Sequence, residues 1–169
     1  MVVRLPTLRR MARAYVALGA NLGDPVTQLE AAITRMGQLP KTQLLARSRL
    51  YRTAPLGPQG QHDYCNAVVA LETALEPEPL LVALQDIEAG LGRIRGERWG
   101  ARHLDLDLLL HGDSACATAR LSLPHPELAH RRFVLQPLAE IAPELNLPGY
   151  GPIQARLNAL PPWQVQPWS

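Results

Sequence analysis

The run GRIRGERWGARHLDLDLLL, from Gly92 to Leu110, decides how this chain is read. Its first half sets four arginines (Arg93, Arg95, Arg98 and Arg102) and Trp99 in a loop punctuated by glycine. Its second half alternates as a strand does. Leu104, Leu106, Leu108 and Leu110 point one way, and His103, Asp105, Asp107 and Leu109 point the other, because successive side chains of a strand face opposite sides. Two carboxylates two residues apart therefore share a face directly after a cationic loop. A divalent metal takes oxygen ligands and polyphosphate takes guanidinium, and a magnesium–nucleotide complex takes both. Each half alone also has an ordinary explanation, the solvent face of a strand and a solvated loop. The two together, with an aromatic among the arginines, point to a site for phosphate and metal.

Upstream of this run, Glu78 to Leu91 has the spacing of an amphipathic helix, with Leu80, Leu81, Leu84, Ile87 and Leu91 apolar. Gln85 and Glu88, three residues apart, share a face that leads into the arginine loop. Gly90, Gly92 and Gly96 miss the GxGxxG spacing by one, so no dinucleotide fold is read. Tyr64 to Ala74 reads as a strand, with Tyr64, Asn66, Val68, Ala70 and Glu72 on one face and Cys65, Ala67, Val69 and Leu71 on the other. Tyr64 and Asn66 thus stand side by side where the Pro/Gly loop Thr53 to Asp63 meets the sheet. An edge hydrogen bond or the grip on a flat polar heterocycle would both use such a pair. Thr42 to Arg52 reads as one strand and Ala14 to Ala20 as a buried one. Between them, turn residues from Asn21 lead to Pro25 at the first turn of a helix carrying Val26, Leu29, Ile33 and Met36. The phosphate-loop pattern GxxxxGK[ST] is absent.

Downstream, Arg120 to Leu123 reads as a short strand, Pro124-His125-Pro126 as a rigid turn, and His130 to Phe133 as a basic stretch holding the only phenylalanine. Helices are expected over Leu135 to Ile141 and near Gln154 to Leu160, followed by Pro/Trp-containing residues without an evident role. The order strand, helix, strand, strand, helix, strand is the split βαβ, or ferredoxin-like, pattern. The expected fold is therefore α+β, a βαββαβ core whose antiparallel sheet is covered by helices, with a C-terminal extension.

Length bounds this further, since 169 residues suit one domain with a full core. That domain is placed at residues 14–160, with 161–169 as a tail. Residues 1–13 form a basic stretch, explained by a disordered arm or by a start codon upstream of Met11, the second being preferred. An apolar content of 47% against 19% charged argues against disorder. A net charge of +2 is too small to imply nucleic acid. Lys41 is the only lysine. Arginine suits bidentate phosphate contacts, although genome composition favours it equally. Cys65 and Cys116 form no CxxC or Cys/His cluster, so neither zinc nor a disulfide is expected, and a reducing cytoplasm is the simplest setting. No apolar run approaches membrane-spanning length.

Four motifs in order, GANLGD, RTAPLGPQGQHDYCNAVVALET, GRIRGERWGARHLDLDLLL and LPHPELAHRRFVLQPLAEIAPEL, resemble those of the 6-hydroxymethyl-7,8-dihydropterin pyrophosphokinases of folate biosynthesis. The resemblance covers about Ala14 to Leu160. It implies pyrophosphate transfer from ATP to the hydroxymethyl group of the dihydropterin, with release of AMP. It implies that Asp105 and Asp107 hold two Mg²⁺ ions with ATP, and that Arg93 and Arg102 join them in catalysis. It assigns Gln85, Glu88, Arg93, Arg95, Trp99, Arg102, His125 and Arg131 to ATP. It assigns Thr53, Leu56, Tyr64, Asn66, Trp99 and Phe133 to the pterin. Implied partners are these two small molecules, with no nucleic acid and no membrane, for a monomer in the cytoplasm. The family more often has proline where Ala101 stands and a small hydroxyl residue where His103 stands, and the residues after Leu160 are unmatched. A general base is not evident, and Asp105 is more simply a metal ligand. Two rivals use the same features, an arginine-rich RNA-binding module and an ordinary magnesium-dependent kinase. An aromatic content of 5%, with none in mid-strand, counts against stacking RNA bases. Four crowded arginines from Arg93 to Arg102, with Gly96 and Gly100 among them, further suggest a loop that orders when polyphosphate and metal supply opposite charge.

Overall fold

A computed structural model describes residues 10–55, 62–92 and 104–168. In chain order the elements are β1 (Ala12–Ala20), α1 (Pro25–Gly37), β2 (Thr42–Arg47), β3 (Tyr51–Thr53), β4 (Tyr64–Thr73), α2 (Pro77–Gly92) and β5 (Asp105–His111). There follow β6 (Cys116–Ala117), β7 (Ser122–Leu123), α3 (Arg132–Ile141), β8 (Asn146–Leu147), β9 (Gly151–Pro152), α4 (Ile153–Ala159) and β10 (Val165–Pro167).

β1 is the strand on which the sheet is built. It pairs antiparallel with β4 on one side and β5 on the other. β2 and β3 pair in succession along the far edge of β4, and β10 adds to β3, giving the order β10-β3-β4-β1-β5. This is the ferredoxin-like α+β arrangement, with β2 and β3 together in the place of one strand. Both faces of the sheet are covered. Val16 and Leu18 of β1, Ala67 and Val69 of β4, and Leu106 and Leu108 of β5 pack beneath α1 and α2. Tyr15, Ala17, Val68 and Ala70 pack beneath α3, with its Val134, Leu135 and Leu138. Pro25 stands in the first turn of α1 as its fixed φ allows. Asp24 caps that helix, its carboxylate accepting from the hydroxyl and backbone N–H of Thr27, which holds the carboxyl below its ordinary range.

Several boundaries differ from the sequence reading. Thr42 to Arg52 is two strands because Ser48 interrupts the ladder. Its Oγ accepts from the Val68 N–H at 3.0 Å and donates to Arg49 O at 2.7 Å, a local side-chain bond that competes with pairing. The next N–H, that of Arg49, goes to the Glu140 carboxylate. Leu110 does not share the face of Leu104, Leu106 and Leu108. The register of β5 against β1 slips between Tyr15 and Val16, and this bulge turns Leu110 to the α3 side beside Leu109. β1 begins two residues before Ala14, and α3 three residues before Leu135.

β10 lies in the segment read from sequence as a tail. Val165 pairs with Thr53 and Pro167 with Tyr51. The Trp163 indole donates to Ala54 O at 3.1 Å, Ala54 N–H donates to Gln164 O, and Arg52 stacks 3.8 Å over the Trp168 ring. A chain ending at Pro162 is expected to be destabilised by about 2 kcal/mol, a melting temperature lower by about 4–8 °C. A thermal melt reads this, and an unchanged midpoint would show that β10 contributes no stability.

Candidate functional site

The site grows from the small residues of β1. Ala17 and Gly19 point to the α3 side, and each has a partner in both neighbouring strands. Gly19 lies opposite Asn66 of β4 and opposite Asp105 of β5, while Ala17 lies opposite Val68 and Asp107. Directly opposed residues share a face, so the row Asp105–Gly19–Asn66 continues to Tyr51 of β3. Small side chains in the middle of the row leave a trough with carboxylates at one end and an amide at the other. The start of α3 roofs it. The resulting cavity, about 240 Å³, is lined by Ala17, Leu18, Gly19, Thr53, Ala54, Tyr64, Asn66, Asp105, Asp107, Arg131, Phe133 and Val134.

Polar groups inside it are incompletely used by the protein. The Asn66 Nδ2 donates to Leu18 O at a long 3.5 Å, whereas its Oδ1 is buried without a protein partner. The Thr53 Oγ1 is likewise buried and without a partner. Buried polar atoms are almost always bonded, so two orphans on residues that line one cavity point to a place for a ligand. Arg131 brings positive charge, 3.9 Å from the Glu127 carboxylate, and its guanidinium lies 5.8 Å from the centre of the Phe133 ring.

The carboxylate end suits a hard cation. Among the described residues no group of three or more His, Cys, Asp or Glu is placed to hold a metal. Two aspartates alone fit an ion that takes its other ligands from water and phosphate, which is how magnesium is commonly bound. Glu88 supports this end from the other side of the sheet, its carboxylate accepting from the Leu106 N–H at 2.9 Å, between the two aspartates. A thiol nucleophile is not available here, because burial pushes Cys65 up to about 12 and its side chain packs under the opposite helices.

Seven residues singled out in the sequence thus line one cavity: Thr53, Tyr64, Asn66, Asp105, Asp107, Arg131 and Phe133. Gln85, Glu88 and His125 do not line it. Gln85 is exposed on α2. His125 sits in a turn tied to β5 through its N–H to Leu109 O, with its Nδ1 accepting from the Glu127 N–H. Leu56, Arg93, Arg95, Trp99 and Arg102 lie outside the described residues, and so does the suggested ordering of the arginine loop. The sequence reading missed Ala17 and Gly19. Their signal was present in AYVALGA, where Ala17 and Gly19 are small residues at alternate positions following the bulky Tyr15 on the same face.

Comparison with known proteins places the chain in a family. The family model described as 7,8-dihydro-6-hydroxymethylpterin-pyrophosphokinase matches residues 15–143. The 2-amino-4-hydroxy-6-hydroxymethyldihydropteridine pyrophosphokinase of Haemophilus influenzae is 51% identical over 138 residues, covering 82% of this chain and 86% of the relative. The protein of the same name from Pseudomonas aeruginosa is 48% identical over 149 residues, covering 88% and 92%. Among solved structures, wild-type HPPK-DHPS of Plasmodium falciparum superposes with a TM-score of 0.67 over 90% of this chain. At 14% identity that likeness concerns the fold, and this chain spans only 41% of the length of that one. With the family model matching most of the chain and relatives about half identical along most of their length, this chain belongs to the 7,8-dihydro-6-hydroxymethylpterin-pyrophosphokinase family.

Proposed function

We propose that this protein transfers pyrophosphate from ATP to the hydroxymethyl oxygen of 6-hydroxymethyl-7,8-dihydropterin and releases AMP, a step of folate biosynthesis. The observation that supports this best is one cavity whose floor runs from Asp105 and Asp107 through Gly19 to Asn66 and Thr53. In this reading Asn66 and Thr53 satisfy the polar edge of the pterin, while Tyr64 and Phe133 contact its flat ring, with Leu56 and Trp99 completing the pocket. Arg131 and His125, with Arg93, Arg95, Trp99 and Arg102 of the sequence motif, take the nucleotide. Gln85 and Glu88 approach its adenosine side, and Glu88 also holds β5 in place.

Asp105 and Asp107 would hold two magnesium ions with the triphosphate. Magnesium bound there supplies Lewis-acid neutralisation of phosphate oxygens. The acceptor oxygen forms its bond to the β-phosphorus as the bond from that phosphorus to the AMP oxygen breaks. The chain's own contribution is to orient the two substrates and to meet developing charge with arginine. Both carboxylates would be engaged as ligands, so no side chain is assigned as general base. The protein acts in this reading as a cytoplasmic monomer on small molecules, with neither nucleic acid nor membrane as partner. Among the described residues no helix is long and apolar enough to cross a membrane.

The test is the nucleotide product. Incubated with the dihydropterin and Mg–ATP, the protein should form AMP in step with the pterin diphosphate. ADP in its place would mean an ordinary kinase, and no turnover would leave a binding module.

A further inference from the structure

Nothing in the backbone calls for glycine at position 19. The residue lies inside β1, paired on both sides, and it is not among the glycines at positive φ, which among the described residues are Gly23, Gly112, Gly149 and Gly151. Glycine within a strand weakens it and often marks a place where something approaches closely. What matters at this position is therefore the missing side chain.

A Cβ added there would lie 3.0 Å from the Asn66 Nδ2, against about 3.5 Å for comfortable packing. Asn66 has little room to yield. Its other cross-strand neighbour, Tyr51, is fully buried, and the Tyr51 hydroxyl is held by the Glu140 carboxylate. Its Nδ2 is already at a long 3.5 Å from Leu18 O, and its Oδ1 is buried without a protein partner. A displaced amide would change the polar wall that Asn66 gives the cavity. On its other side Gly19 faces Asp105, so the same Cβ would rise between the amide and carboxylate ends of the trough.

We propose that Gly19 is a positioning residue. Its absent side chain fixes the Asn66 amide and keeps open the passage in which the acceptor oxygen meets the phosphorus. This rests on the pyrophosphokinase reading above.

The test is Gly19→Ala, alone and combined with Asn66→Ala, followed by thermal melting and by steady-state kinetics in both substrates. The single variant should melt within a few degrees of wild type, because alanine's restraint of the unfolded chain offsets part of the cost of the close Cβ contact. Its KM for the dihydropterin should rise about tenfold, as a displacement of tenths of an ångström at a substrate contact implies. Its KM for ATP should stay within about twofold. In the Asn66→Ala protein, adding Gly19→Ala should move the pterin KM by less than about twofold, because no amide remains to be displaced. An unchanged pterin KM in the single variant overturns the inference. So does a melting temperature lowered by more than a few degrees with both KM values raised, which would make Gly19 merely structural. An equal rise in both backgrounds would show that it does not act through Asn66. Wild-type protein that turns over no dihydropterin would instead overturn the reading of the site, and this inference with it.

Discussion

Replacing Asp107 by alanine should lower turnover by about 10³-fold or more and leave the fold standing. Loss of a metal ligand removes several kcal/mol of charge stabilisation, and each 1.36 kcal/mol is tenfold in rate. Structurally the change is mild. Asp107 is half-buried on the cavity face, and Asp105 beside it is exposed. The strand that carries them is held independently, by the ladder to β1, by Leu104, Leu106 and Leu108 in the core, and by the Glu88 carboxylate on the Leu106 N–H. Either aspartate-to-alanine variant should therefore melt within about 2 °C of wild type, as a change of about 0.5 kcal/mol or less implies. Near-normal turnover in Mg²⁺ would show that these carboxylates hold no essential metal. A collapse in melting temperature would show that they serve the fold.

Asn66→Ala should separate the two substrates. A hydrogen bond from a buried amide to a ligand contributes about 1–3 kcal/mol when its loss strands the partner group, so pterin affinity should fall about 10- to 100-fold. Nucleotide affinity should hold, because the carboxylate end lies across Gly19 from the amide. Stability should not fall and is expected to rise slightly. The Asn66 Oδ1 is buried without a protein partner, and removing an unsatisfied buried acceptor relieves a desolvation cost. Titration of the dihydropterin and a thermal melt decide together. Reduced stability with normal pterin affinity would make the amide a structural group.

Much of this was legible in the residues. Alternation in HLDLDLLL placed both carboxylates on one face, and the same period put Tyr64 and Asn66 together on theirs. What periodicity cannot carry is any place where the period breaks. Leu110 was assigned to the wrong face because a bulge against β1 shifts the register there, and a bulge has no signature in a run of leucines. The break at Ser48 was missed because it depends on a partner twenty residues away, the Val68 N–H. β10 was missed for a related reason. Val165 to Pro167 is short and carries a proline, which a strand at the edge of a sheet tolerates, and only the waiting edge of β3 makes it a strand. Gln85 and Glu88 do share a helix, but that helix packs on the face opposite the cavity, and Glu88 reaches the site by gripping the backbone of β5. Gly19 was visible as a letter but not as a site, since its meaning comes from what stands on either side of it in the sheet.

The most direct test of the account is a crystal structure with the dihydropterin, a non-hydrolysable ATP analogue and Mg²⁺ bound together. It should show the pterin edge on Asn66 and Thr53, metal on Asp105 and Asp107, and the hydroxymethyl oxygen above Gly19, facing the β-phosphorus. Pterin bound outside this cavity, or metal held without either aspartate, would contradict it.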